Sequence, residues 1–303
     1  MNKIINFGSI NIDHVYRVEH IAAPGETISS ESYETFAGGK GFNQTIALAH
    51  CYGNVYHAGC IGSDGAALVD ILRENGVDIS RLRTDGTCTG HAIIQVDKSG
   101  QNSILLFSGA NSETKSGDIP AILDGFGAGD TLLLQNETSC LREIIDAAHA
   151  KNMTIALNPS PMNSVITSLP LKKVTWLLLN EVECEQLTGI SGTDYEKICG
   201  ELIKLYPAAK IVLTLGSNGA IYADRETLIS MPAHSVSVVD TTAAGDTFTG
   251  FFLGSIAKNL SVKEALRTAT AAAAIAVSRK GASPSIPTMA EVDALLHTKT
   301  ISR

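Results

Sequence analysis

The chain has no run of Lys or Arg, few aromatic residues and no long apolar stretch. Of its 303 residues 18% are charged and 5% aromatic, and 31 acids against 23 bases leave a net charge of −8. Without clustered cations there is no footprint for a nucleic acid. The longest apolar stretches, near 131–134 and 271–277, fall well short of the ~20 residues that a bilayer-spanning helix needs. Six cysteines at 51, 60, 88, 140, 184 and 199 form no C-x-x-C pair and have no His at metal-ligand spacing. The expectation is reduced, mostly buried thiols. Met1-Asn2-Lys3 runs directly into Ile4-Ile5-Asn6-Phe7, without the apolar segment of a secretory signal, so a cytoplasmic location is expected. G-x-x-x-x-G-K-[ST] is absent, and no G-x-G-x-x-G opens the first strand–helix unit. These absences remove a P-loop and argue against an NAD-dependent enzyme.

With 44% apolar residues, a substantial core is available. Continuous apolar runs at 4–10, 55–61, 131–135, 154–157, 176–179 and 211–215 read as strands covered on both faces. Helix-like runs at 41–51, 66–74, 137–151, 181–187, 195–205, 246–258 and 262–279 alternate with them. The pattern predicts an α/β fold, a doubly wound, mostly parallel sheet flanked by helices. Residues 13–36 and 91–107 break the alternation, with β character, turns at Pro24-Gly25 and Lys98-Ser99-Gly100, and no helix. They predict a small inserted antiparallel sheet, a lid formed by residues 11–37 and 88–109. The core domain would then be 1–10, 38–87 and 110–303. Such a lid would cover the carboxyl ends of the parallel strands, where open α/β sheets bind ligands.

Two glycine-rich stretches carry the chemistry. In Asp240-Thr241-Thr242-Ala243-Ala244-Gly245-Asp246-Thr247-Phe248 small residues precede an acid and an apolar helix. Small side chains let backbone N–H groups approach a phosphate, and the helix start adds a positive dipole end. The plain alternative for Asp246 is a helix cap. The chain carries its own control at Ala128-Gly129-Asp130-Thr131, which leads instead into Leu132-Leu133-Leu134. Asp130 is expected in a turn entering the sheet. The second stretch is Gly38-Gly39-Lys40-Gly41-Phe42-Asn43-Gln44, where glycines permit close ligand approach and Asn43 offers an amide to a hydroxyl.

Together these stretches resemble the two signatures of the ribokinase, or PfkB-type, family of carbohydrate kinases. Further matches follow in order: Gly8-Ser9-Ile10-Asn11-Ile12-Asp13, Asn158-Pro159-Ser160-Pro161, Asn180-Glu181-Val182-Glu183, Thr214-Leu215-Gly216-Ser217-Asn218-Gly219 and Arg279-Lys280-Gly281-Ala282-Ser283-Pro284-Ser285. The resemblance implies an enzyme that transfers the γ-phosphoryl of ATP to the terminal hydroxyl of a pentose, D-ribose above others. Deoxyribose, fructose or a nucleoside stay open as acceptors, as does a non-catalytic sugar sensor. It places Asp246 as the general base, with the N–H groups of Ala244, Gly245 and Asp246, in the turn that starts at Ala243, forming an anion hole. It places Asn11, Asp13, Gly39, Lys40, Asn43 and Glu137 around the sugar, and Asn180, Thr214, Gly216, Ser217, Gly219, Gly245 and Thr270 around the nucleotide. Glu183 would hold Mg²⁺ through water. Asp240, Thr242, Ala276, Arg279, Gly281 and Ser285 would hold an activating K⁺. A homodimer through the lids is implied, with Val15, Ile28, Ile93 and Ile104 as candidate apolar residues. Three departures from the family pattern bear on specificity: Phe42, His91 (expected to face the sugar) and Thr270.

Overall fold

The structure, a computed structural model, describes residues 2–298. In chain order its strands are β1 (Ile4–Phe7), β2 (Asn11–Arg17), β3 (Ser32–Gly38), β4 (Val55–Gly62), β5 (Asp78–Gly86), β6 (Gly90–Val96), β7 (Asn102–Phe107), β8 (Thr131–Leu134), β9 (Thr154–Leu157), β10 (Trp176–Asn180), β11 (Lys210–Thr214), β12 (Ala220–Ala223) and β13 (Leu228–Met231). The helices are α1 (Lys40–Cys51), α2 (Ala66–Glu74), α3 (Ile119–Ile122), α4 (Leu141–Ala150), α5 (Ser164–Ser168), α6 (Glu181–Thr188), α7 (Tyr195–Leu205), α8 (Ala244–Ala257), α9 (Val262–Val277) and α10 (Met289–Thr298).

Nine strands form one sheet in the order β13-β12-β11-β10-β9-β8-β1-β4-β5, parallel except at β12 and β13. Apolar side chains on its two faces bury two cores, because successive residues of a strand point to opposite faces. Ile4 belongs to one core, while Ile5 and Phe7 belong to the other. The chain leaves β1 for β4 and β5 on one side and resumes at β8 on the other. Strand order therefore reverses at β1, the place where such sheets open a crevice.

The second sheet has the order β3-β2-β6-β7. Its outer pairs are antiparallel, while the central β2–β6 pair runs parallel. Parallel neighbours need a long crossover, and the core elements between β3 and β6 supply it.

Several elements differ from the sequence reading. The strand at 4–10 stops at Phe7, because Gly8 and Gly41 pack backbone to backbone: a Cβ on Gly8 would lie 2.6 Å from Gly41 Cα. The helix expected at 137–151 begins at Leu141, since Cys140 adopts a left-handed φ of 59° and frees residues 136–139 as a loop. β5, β12, β13 and α10 escaped the pattern; β5 is an edge strand whose polar Arg81, Arg83 and Asp85 dilute its apolar signal.

Helices α1 and α8 pack closely on one face of the large sheet. A Cβ on Gly250 would lie 2.4 Å from Ala47 Cβ, and one on Gly254 2.8 Å from Cys51 Sγ. Only glycine allows that approach. The close packing brings the first turns of the two helices together, which sets up the site.

Candidate active site

Asp246 sits in the first turn of α8, and only 7% of its surface is exposed. Its Oδ2 accepts a hydrogen bond from Asn43 Nδ2 at 3.2 Å, and its Oδ1 accepts one from Gln44 Nε2 at 2.9 Å. Both donors come from the facing turn of α1. The residue before α8, Ala243, holds a left-handed φ of 59°, an uncommon conformation for a residue with a Cβ and one that clusters at functional turns. The Ala244 N–H turns back to Thr241 O at 3.2 Å, and the helical ladder starts with Thr247 N–H to Ala243 O. Of the three amides expected to cradle an anion, Ala244's is thus drawn into the turn. Gly245 and Asp246 carry the remaining two, at the wall of a cavity.

Charged side chains crowd around this carboxylate. Glu137 accepts from the Ser9 hydroxyl and, at 3.0 Å, from the Lys40 N–H. Burial pushes the Glu137 carboxyl up, with Lys40 and Ser9 opposing it. Burial alone would depress the Lys40 ammonium, but Asp246, Glu137 and Glu183 outweigh it and the net shift is upward. Burial, with Glu137 nearby, raises Asp13 to about 7. The Asp13 carboxylate lies against Gly38, where a Cβ would come within 2.1 Å of Oδ2. Asn11 Oδ1 accepts from Asn111 Nδ2 at 2.7 Å.

Three cavities lie around these residues. One of about 560 Å³ is lined by Thr214, Gly216, Ser217, Gly219, Gly245 and Thr270, all expected at the nucleotide, together with the segment 233–238 that sequence reasoning missed. A second of about 250 Å³ contains Lys40, Asn180, Glu183, Ala244, Gly245 and Asp246. The two adjoin, sharing Thr214, Thr241, Ala244 and Gly245, and Asp246 lines the smaller. A third of about 320 Å³ is bordered by Asn11 and Glu137. Asn180 and Glu183 form a reciprocal cap on α6, each side chain accepting from the other's N–H at 2.9 Å. Asp240 accepts from the Thr242 N–H and hydroxyl with one oxygen and from the Gly281 N–H with the other, joining two loops. Burial raises its carboxyl, yet these hydrogen bonds prevail and hold it below the usual range.

The structure corrects several expectations. His91 does not share a face with Asp13, the residue expected at the sugar: in the β2–β6 register Asp13 pairs with Ala92, and His91 points to the opposite face, against Phe107 and His14. Phe42 is fully buried in the core and lines none of the three cavities. The four apolar lid residues do not share a face, since Val15 and Ile104 lie with Asp13, Ile93 lies opposite and Ile28 is outside the strands. Arg279's guanidinium is held by Glu291 at 2.6 Å, leaving only its main chain for an ion. Sequence reasoning gave no role to Gln44 or Asn158, which touch at 3.1 Å beside Asp246; their presence inside two matched segments was the available signal.

A buried carboxylate, a lysine and helix-start amides in one cavity, with a polar cavity bordered by Asn11 and Glu137 nearby, equip a phosphotransferase acting on polyols, a carbohydrate kinase. The profile of the pfkB family carbohydrate kinases matches residues 1–289. The chain is 36% identical over 291 residues to a ribokinase of Haemophilus influenzae, covering 94% of this chain and 95% of that protein. It is 32% identical over 317 residues to a ribokinase of Schizosaccharomyces pombe, with 99% of each covered. The solved Arabidopsis thaliana ribokinase complexed with ribose and ATP superposes with a TM-score of 0.87 at 32% identity, covering 98% of this chain and 99% of that one. The chain belongs to the pfkB family of carbohydrate kinases.

Proposed function

We propose that this kinase transfers the γ-phosphoryl of ATP to the terminal hydroxyl of D-ribose, forming D-ribose 5-phosphate, with Asp246 as the general base. One observation carries the reading: the Asp246 carboxylate is held by Asn43 and Gln44 of α1 in a cavity that adjoins the 560 Å³ one and also contains Lys40. Asn11, Asp13, Gly39, Lys40, Asn43 and Glu137 bind the sugar, since each carboxylate or amide can engage neighbouring hydroxyls. The 560 Å³ cavity takes the nucleotide, and its phosphates run past Thr241 toward Gly245. Asp246 accepts the proton of the attacking hydroxyl. The Gly245 and Asp246 amides and the Lys40 ammonium meet the charge that spreads over the transferring phosphoryl, where positioning and electrostatics supply most of the catalysis. The β2-β3-β6-β7 sheet acts as the lid. Asp246→Asn is expected to lower turnover by roughly 10²–10⁴ with ribose binding kept; calorimetric ribose binding together with ADP-release kinetics measures both, and an active Asn variant overturns the reading.

The residues fit two cations. Among the described residues no group of three or more His, Cys, Asp or Glu could hold a metal. That suits Mg²⁺, which favours phosphate oxygens, waters and one or two carboxylates; Glu183 is the carboxylate at hand, and the ion would neutralise phosphate charge. Segments 240–242 and 276–285, the second running out of the end of α9, offer a hydrogen-bonded ionised carboxylate and main-chain carbonyls, hard oxygens that fit K⁺. Asp240, Thr242, Ala276, Arg279, Gly281 and Ser285 would hold it, each beyond Asp240 mainly through its main chain. Turnover is expected to rise in K⁺ over a large organic cation, and equal rates would exclude the site.

The lids also support a homodimer. All of β7 is exposed, with Leu105 at 68% and Phe107 at 53%. An apolar edge strand invites pairing. Leu105 and Phe107 share a face with Ile93, Tyr33 and Tyr16, away from Asp13. Sedimentation at micromolar concentration is expected to give a dimer; a monomer there would refute it. No helix among the described residues is long and apolar enough to cross a membrane, and we place the enzyme in the cytoplasm; fractionation of its host tests that.

A further inference from the structure

We infer that Gln44 is a positioning residue for Asp246, held in its working orientation by a directional chain of buried amides through Gln135 and Asn6. The inference rests on Asp246 being the base. Gln44 is fully buried and its Nε2 donates to Asp246 Oδ1 at 2.9 Å and to Asn158 Oδ1 at 3.1 Å. A carboxylate can only accept, so this bond exists only while the Gln44 amide points its nitrogen at Asp246. Turned by half a rotation, the amide would set its oxygen against the carboxylate.

Two main-chain carbonyls, which can only accept, fix the sense of the whole chain. Asn6 Nδ2 donates to Gly41 O at 2.8 Å, so Asn6 Oδ1 faces the other way and accepts from Gln135 Nε2 at 3.0 Å. Gln135 Nε2 also donates to Gln44 Oε1 at 2.7 Å, which leaves Gln44 Nε2 for Asp246. From the opposite direction, Asn158 Nδ2 donates to Leu178 O at 3.0 Å, so its Oδ1 must accept from Gln44. Both anchors dictate the same orientation. Asn6, Gln44 and Gln135 are each 0% exposed, so water does not compete and a wrong amide orientation would leave buried groups unpaired. Asn6 Nδ2 also donates to Thr45 Oγ1, whose hydroxyl meets His57 Nδ1 at 2.7 Å. Burial holds His57 down to about 4, a neutral ring able to accept that proton.

The function of this chain follows from its geometry. With Oδ1 tied to Gln44, rotation of the Asp246 carboxylate is arrested and Oδ2, shared with Asn43, is the oxygen presented to a hydroxyl. Misplacing a reacting group by an ångström costs on the order of 10²-fold in rate.

The test is a double-mutant cycle read by steady-state kinetics with ribose and ATP. Gln44→Met is expected to lower kcat by roughly 10²-fold with the ribose KM little changed, because Gln44 does not line the sugar pocket. Gln135→Met, which does not touch Asp246, should cost roughly 10-fold in kcat by loosening the Gln44 amide. The double variant should be no slower than Gln44→Met, since Gln135 acts only through Gln44. Gln44→Glu keeps the shape while facing one carboxyl with another, and should be slower still. Multiplying losses, a raised KM at constant kcat, or a Gln44→Glu variant as fast as wild type would each overturn the inference. Should Gln44→Met fail to fold, the nearly isosteric Gln44→Glu and the remote Gln135→Met still decide it. An active Asp246→Asn would sink the base assignment; an inactive one beside unimpaired Gln44 variants would sink this inference alone.

Discussion

The chain contains Ala-Gly-Asp-Thr twice, at 128–131 and at 244–247, and puts the two copies to opposite uses. At the first, Asp130 closes a turn: its carboxylate accepts from the Lys3 N–H at 2.7 Å and the Gly127 N–H at 3.1 Å, and Thr131 begins the buried strand β8. At the second, Thr247 and Phe248 begin a buried helix. Asp246 is held by side-chain amides of another helix, beside a channel. The first acid is satisfied by main-chain N–H groups, that of Gly127 in its own turn and that of Lys3 at the entry to β1. The second is satisfied from 203 and 202 residues away and keeps an edge toward open space. The tetrapeptide carries no function; the element that follows it and the helix opposite do.

Exchanging each acid for its amide breaks the comparison most sharply. Asp246→Asn removes the proton acceptor and should lower kcat by roughly 10²–10⁴. Asp130→Asn should leave kcat intact and cost about 1–3 kcal/mol of stability, because a carboxylate that accepts main-chain hydrogen bonds is lost. Activity and melting curves of both variants check this. Loss of turnover in Asp130→Asn would show that the turn transmits something to the site after all.

Much of this contrast was legible in sequence, because Leu132–Leu134 and Phe248–Phe252 announce a strand and a helix by length and period. So were the parallel strands β4 and β8–β11, whose unbroken apolar runs suit a sheet covered on both sides. What depends on register was not. His91 and Ala92 differ by one place, and only the pairing with β2 decides which of them joins Asp13. Gln44 could be read as part of a signature but not as a partner of Asp246, since the amide chain that aims it draws on Asn6 and Gln135 from other elements. Strand β5 was invisible because an edge strand tolerates Arg and Asp.

Asp13 extends the comparison to a third acid, one whose environment penalises ionisation. Burial lifts it to about 7 from an ordinary carboxylate value of 3.8, so this group binds more proton in the folded chain than in the unfolded one between those limits. Asp13's contribution to the stability of the sugar-free enzyme therefore falls as pH rises from about 4 to about 7 and then levels off. Asp13→Asn should flatten that slope and make the sugar-free protein more stable than wild type at pH 8. The same change should weaken ribose binding by roughly 10- to 100-fold, the worth of hydrogen bonds to a charged group. Unfolding midpoints at pH 5 and 8 with ribose titrations test both halves. An unchanged pH slope would mean that Asp13 ionises freely in the fold.

The glycines that precede the two acids give the smallest and most discriminating pair. A Cβ added to Gly245 meets nothing within 4 Å and its φ is compatible with any residue, so Gly245→Ala should leave stability unchanged. If a phosphoryl group passes that amide, the new methyl occupies the space it needs, and the ATP KM should rise roughly 10-fold, about 1.4 kcal/mol of lost binding. Gly129 has a φ of +91°, and a Cβ there would make only ordinary contact with Asn2. Gly129→Ala should therefore cost about 1 kcal/mol through backbone strain and leave the ATP KM alone. One substitution thus harms binding without harming the fold, and the other does the reverse. A Gly245→Ala enzyme with wild-type ATP kinetics would show that the nucleotide's phosphates take another route and that the α8 amides do not cradle them.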